Sequence, residues 1–195
     1  MKALLIIDMQ NDFMPGGALA VPEGDMLIPI INELILDFPL VVASQDTHPP
    51  DHTSFAIWPV HCVKNTQGWQ LAPSLQQEKI HATFRKGEDK NIDSYSAFFD
   101  NAHLKATGLG EFLKARGVRD LYLVGVAIEY CVLFSALDAL ELGFNVFVLV
   151  DGCAGIDLEV GDVQRALDQI KCHGGKVLSL TDRSLIANSI TKGSF

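Results

Sequence analysis

Six short apolar runs rich in β-branched residues recur along the chain, at Ala3–Ile7, Leu40–Ser44, Ala82–Phe84, Leu121–Val124, Val146–Val150 and Val177–Leu180. Side chains on an extended chain point alternately to opposite sides, so runs that are apolar at successive positions suit strands covered on both faces. Between several of them lie stretches with a helical period. Leu27, Ile30, Ile31, Leu34, Ile35 and Phe38 follow the i, i+3, i+4, i+7, i+8, i+11 spacing of one helix face, with Asp25 as the expected N-cap and Pro29 inside the first turn. Leu109, Phe112 and Leu113 mark a second helix, Leu133, Leu137 and Leu140 a third, and Val160, Val163, Leu167 and Ile170 a fourth. Gly117 and Gly143 stop the second and third.

Strands alternating with helices predict an α/β, doubly wound, Rossmann-like domain of three layers around a mostly parallel sheet of about six strands. There is no internal repeat and no linker, so a single domain over 1–195 is expected. A chain of 195 residues buries roughly 70% of the surface its unfolded form exposes and needs no disulfide or zinc to fold. Ligands of such sheets bind outside the carboxyl ends of the strands. Two segments, Thr47–Lys79 and Lys86–Thr107, show neither period, and both follow the carboxyl end of an expected strand. Aperiodic segments of this length are uncommon in compact domains unless they build a site.

Charge and cysteine usage narrow the partners. The net charge of −9 has no compensating run of Lys or Arg, so the electrostatic attraction on which nucleic-acid binding depends is missing, and no nucleic acid or membrane partner is expected. Asp8 interrupts the first apolar run well before a signal peptide or membrane span could be complete. Cys62, Cys131, Cys153 and Cys172 show no CxxC pairing, which argues for a reducing, cytoplasmic compartment. A small-molecule substrate is the expected partner, and a homo-oligomer stays open.

Four expected strands deliver chemistry-bearing residues to one edge of the sheet. Asp8 directly follows the first strand; by itself it also suits a turn or helix cap. The second runs into Asp46-Thr47-His48, where residues two apart on an extended chain present an oxygen and an imidazole nitrogen to one point. His52 or His61 could supply a third ligand, giving a His/His/Asp set with open positions that suits zinc, and also iron or manganese. The third strand ends in Arg85-Lys86-Gly87, and since Arg85 and Lys86 face opposite ways, only one can reach the edge that holds Asp8. The fourth runs through Gly125 and Ala127 to Cys131, at a strand-to-helix junction. Helix N-terminal N–H groups there are expected to favour a thiolate, against a usual thiol pKa of about 8.5, and to form an oxyanion hole. Cys153, just after a strand, and Cys172, on a late helix, lack such company and read as structural.

The run Asp8-Met9-Gln10-Asn11-Asp12-Phe13-Met14-Pro15-Gly16-Gly17-Ala18-Leu19, together with Asp46 to Phe55, Trp58-Pro59-Val60-His61-Cys62, Lys86-Gly87 and Gly125 to Val132, resembles the nicotinamidases of the isochorismatase-like cysteine hydrolase superfamily. The resemblance spans residues 1 to about 180. It implies an isochorismatase-like hydrolase fold, a catalytic triad of Asp8, Lys86 and Cys131, and one divalent metal ion, zinc ahead of iron or manganese, on Asp46, His48 and His61. It further implies that His52 lines the site without being a main ligand. A cis peptide would precede Ala127, whose N–H would join that of Cys131 in the oxyanion hole, and Phe13 and Trp58 would sandwich a pyridine ring. Ile128-Glu129 stands where many members carry Thr or Ala followed by Asp.

The implied reaction is hydrolysis of nicotinamide to nicotinate and ammonia through a Cys131 thioester, a step of NAD salvage. A cysteine amidase of the same superfamily, acting on another small carboxamide or an N-carbamoyl compound, shares the triad but gives the Asp46, His48, His61 cluster no evident task. Ether cleavage of the isochorismate type needs no cysteine nucleophile. A small-molecule-binding sensor or scaffold on this fold would be expected to break at least one triad position, and none is broken here.

Overall fold

A computed structural model of the chain describes residues 1–182. The remainder of the expected 1–195 domain lies outside the described residues. Six strands, β1 (Lys2–Ile7), β2 (Val41–Asp46), β3 (Ala82–Lys86), β4 (Asp120–Val126), β5 (Asn145–Ala154) and β6 (Lys176–Leu178), form one sheet in the order β3-β2-β1-β4-β5-β6. All five pairings are parallel. Helices α1 (Leu27–Ile35), α2 (Leu109–Ala115), α3 (Leu133–Glu141) and α4 (Asp162–Cys172) occupy four of the five crossovers, and the one from β2 to β3 has only short 3-10 turns. Ala3 to Ile7 of β1 are wholly buried, as a central strand with both faces covered must be.

This order puts the switch point between β1 and β4, where successive crossovers run away from each other and leave a crevice at the strands' carboxyl ends. Asp8 and the turn carrying Cys131 flank that crevice. Gly125 permits the two strands' close approach: its φ is +118°, and a Cβ on it would lie 2.1 Å from the Ile7 carbonyl oxygen.

Several local expectations shift. Asp25 does not cap α1: a short turn over residues 24–26 runs straight into the helix, and Met26 holds the cap position in helical rather than extended backbone. Val160 precedes α4 and is 94% exposed, so Val163, Leu167 and Ile170, joined by buried Ala166, carry that helix's apolar face. β2 continues through polar Ser44-Gln45-Asp46 because Arg85 and Lys86 continue the ladder beside it. β5 passes a register shift and extends to Ala154, which puts Cys153 inside the strand.

Candidate active site

The crevice gathers the residues that the four strand ends deliver. Lys86 is the inward member of its pair: it is buried, while Arg85 is exposed and lies over the Trp69 ring. The Lys86 ammonium is 3.0 Å from Asp8 Oδ2, donates to Asp46 Oδ1 at 3.0 Å and to the Ser94 carbonyl at 2.8 Å, and lies 3.5 Å from Cys131 Sγ. A lysine has three N–H donors and no acceptor. The three donors therefore go to Asp46, the Ser94 carbonyl and the Cys131 sulfur, and Asp8 is held by charge at the same ammonium. Ser44 Oγ, two residues before Asp46 on the same face of β2, donates to Asp8 Oδ1 at 2.7 Å.

Burial and charge separate the acids. Burial pushes the Asp8 carboxyl above the usual carboxylate range, and the Lys86 ammonium and the Ser44 hydroxyl offset only part of that. Burial acts on Asp46 in the same direction, but Lys86, His48 and His61 together outweigh it and hold that carboxyl well below the usual range. Lys86 is raised well above its ordinary value because the two carboxylates overcome burial. The Cys131 thiol is also pushed well above its usual value, by burial first, with Lys86 compensating in part and the Asp8 and Asp46 charges adding to the rise. The expectation of a thiol favoured as thiolate by a helix terminus runs against this direction. Cys131 sits inside a wide turn over 128–132 whose Val132 N–H donates to the Ala127 carbonyl at 3.1 Å, and burial is the largest influence on its thiol.

Asp46 and His48 meet as their spacing predicts, Oδ2 to Nε2 at 2.9 Å, and His61 Nε2 is 3.4 Å from the same oxygen. The partners of the opposite ring nitrogens differ among the histidines. His48 Nδ1 faces the Gly87 carbonyl at 3.0 Å and His61 Nδ1 the Pro59 carbonyl at 2.7 Å. A carbonyl only accepts, so both rings carry hydrogen on Nδ1 and turn Nε2 toward Asp46, where a protonated Nε2 donates to the carboxylate and a deprotonated one offers a ligand lone pair. Two imidazole Nε2 atoms and a carboxylate oxygen brought to one point form a donor set that fits a divalent cation. His52 has the opposite tautomer: its Nδ1 accepts from the Ser54 N–H at 3.2 Å, which leaves hydrogen on Nε2. It stacks on His48 with ring centroids 4.0 Å apart, and its Nε2 has no hydrogen-bond partner among the described residues. His48, His52 and Asp93 do form a second group of ligand-type atoms within 4.8 Å of one another.

A cavity opens onto this cluster, lined by Phe13, Trp58, His61, Lys86, Ala127 and Cys131. The expected aromatic residues are both present. Tyr95 and Tyr130, which the sequence reading missed, join them: Trp58 Nε1 donates to Tyr95 Oη at 3.2 Å, and its ring meets Tyr130 edge-on at 5.1 Å. Tyr95 belongs to an aperiodic loop, where no spacing rule marks it. Gln10 was also missed; it donates to the Asp46 carbonyl at 2.8 Å and accepts from the Asp46 N–H at 2.7 Å, which fixes the end of β2. The Val126–Ala127 peptide is cis, as the resemblance implies.

Known proteins share this architecture. A nicotinamidase from Escherichia coli K12 is 42% identical, covering 93% of this chain and 96% of its own. The structure of PnC1 from L. infantum in complex with nicotinate superposes with a TM-score of 0.89 at 37% identity, covering 93% of each chain. That of a pyrazinamidase from Pyrococcus horikoshii in complex with zinc gives 0.81 at 41% identity, covering 91% of this chain and 98% of its own. The family model for the isochorismatase domain matches residues 2–182, and the chain is therefore a member of the isochorismatase family.

Proposed function

We propose that the chain, acting as one domain, hydrolyses nicotinamide to nicotinate and ammonia with Cys131 as nucleophile, Asp8 as proton acceptor and Lys86 as their shared counter-ion. The observation that carries this reading is the single buried ammonium in contact with Asp8, Asp46 and the Cys131 sulfur. Of the two carboxylates it serves, Asp8 is held high and Asp46 low, and groups pushed apart in this way divide into proton acceptor and fixed charge. The nicotinamidase and pyrazinamidase relatives supply the substrate class.

Asp8 accepts the thiol proton as sulfur bonds to the carboxamide carbon, and the carbonyl π electrons move onto oxygen. The backbone N–H groups of Ala127 and Cys131 receive that oxyanion. As the tetrahedral centre collapses, its C–N bond breaks and Asp8 returns the proton to departing ammonia. Asp8 then takes a proton from the water that attacks the thioester. The C–S bond breaks, nicotinate leaves, and the sulfur regains its proton. Phe13, Trp58, Tyr95 and Tyr130 give the cavity aromatic walls, which suit a flat ring.

Asp46, His48 and His61 would hold a divalent cation, zinc foremost, as the Nδ1 contacts that aim both Nε2 atoms at Asp46 support. Bound there, it supplies a Lewis-acidic anchor for the ring nitrogen. Ammonia release from nicotinamide and a panel of other carboxamides, with and without chelator, tests the reading. Turnover confined to aliphatic carboxamides would replace it with a different cysteine amidase.

A further inference from the structure

Glu129 lies two residues before Cys131 in the same wide turn and is buried, with 8% exposure. Its Oε1 accepts the Ile156 N–H at 2.6 Å and the Asp157 N–H at 2.7 Å. Ile156 lines the cavity that holds the Cys131 sulfur. Asp157, whose φ is +52°, in turn accepts the Gly161 and Val163 N–H groups at 3.1 and 3.2 Å through Oδ1, where α4 begins. One carboxylate thus joins the turn carrying the sulfur to the segment that walls the cavity and leads into α4.

The arrangement is costly if stability alone is its purpose. Glu129 Oε2 is buried without a hydrogen-bond partner among the described residues, and a half-satisfied buried carboxylate stabilises less than an apolar side chain of similar size. It also fits closely: a Cβ on Gly155 would come within 2.4 Å of Oε2. What the carboxylate provides is two charge-assisted bonds converging on one oxygen, which fix distance as well as contact.

We infer that Glu129 is a positioning residue, whose bonds to the Ile156 and Asp157 amides set the distance from that cavity wall to the Cys131 sulfur and so determine how tightly the ring of the substrate is held. The substrate part of this inference rests on the nicotinamide reading above. The clamp itself does not.

Three variants separate these parts. Glu129→Gln keeps an acceptor of the same length, Glu129→Asp shortens the tether by one methylene, and Glu129→Ala removes it. Glu129→Asp and Glu129→Ala are expected to raise KM for nicotinamide about tenfold with kcat within about threefold of wild type, while Glu129→Gln returns KM to within about threefold. Amide hydrogen exchange at Ile156 and Asp157 is expected to quicken in the Asp and Ala variants only. If Glu129→Ala does not fold, Glu129→Asp carries the same comparison. Faster exchange with unchanged KM would reduce Glu129 to a structural tie and overturn the positioning role. Unchanged exchange in Glu129→Asp would overturn the clamp. Absence of ammonia release from nicotinamide by the wild-type protein would instead remove the substrate reading, and the exchange measurement would still judge the clamp.

Discussion

Lys86 Nζ stands 3.5 Å from the sulfur of Cys131, yet the thiol is held well above its usual pKa. Burial of the sulfur and the two neighbouring carboxylates outweigh the one ammonium. This direction favours a thiol beside an ammonium, and the thiol's proton would leave during the reaction.

The sign of that shift is testable. A thiol raised by burial stays protonated through neutral pH, and thiolate accumulates only above the usual value of about 8.5. Alkylation of Cys131 by iodoacetamide, followed by mass spectrometry, is expected to be slow at neutral pH and to keep rising beyond that value. A rate independent of pH would indicate a resting thiolate–ammonium pair.

Replacing Cys131 with Ala is expected to abolish ammonia release while leaving the circular dichroism spectrum unchanged. Asp8→Asn is expected to lower kcat/KM by at least about 10³-fold, since an amide cannot accept the thiol proton. Substantial turnover by purified Cys131→Ala protein would remove the nucleophile assignment.

Lys86→Met keeps most of the side chain's volume but leaves Asp8 and Asp46 buried without their counter-ion. Breaking a buried pair from one side costs about 3–5 kcal/mol, which for a domain of this size lowers Tm by roughly 10 °C. Calorimetry of the metal-free protein checks this, and an unchanged Tm would show that the site does not depend on the ammonium for its stability.

Metal content discriminates the third ligand. Elemental analysis is expected to find about one divalent ion per chain in wild type and in His52→Ala, and none after Asp46, His48 or His61 is replaced by Ala. Gly87→Ala is expected to lose the ion as well: residue 87 has φ +69°, and a Cβ there would meet the His48 ring at 2.6 Å. Full occupancy in His61→Ala with none in His52→Ala would exchange their roles.

Benzamide shares nicotinamide's ring shape and amide but lacks the pyridine nitrogen, so comparing them isolates that atom. A site arranged around a polar partner rejects the analogue without it by orders of magnitude. Nicotinamide is expected to exceed benzamide in kcat/KM by at least about 10²-fold on metal-loaded protein. Picolinamide is also expected to be poor, because its nitrogen adjoins the carbon bearing the amide. Equal values for nicotinamide and benzamide would favour a broader amidase.

Much of this site was legible from sequence alone because the information is local. A two-residue period put Asp46 and His48 on one point, and apolar runs ending in Asp8, Lys86 and Cys131 put those residues at the sheet's carboxyl edge. The strand order β3-β2-β1-β4-β5-β6, which brings β1 and β4 together, arises from pairings between distant segments that no periodicity records. His61 and His52 looked alike as third ligand on spacing; only the folded chain sets a carbonyl against one Nδ1 and an N–H against the other. Tyr95, Tyr130 and the Glu129 bonds to Ile156 and Asp157 come from turns and loops that cross the cavity. The thiol's shift reversed the local expectation for the same reason: a helix terminus can be read along the chain, but desolvation depends on everything packed around the sulfur.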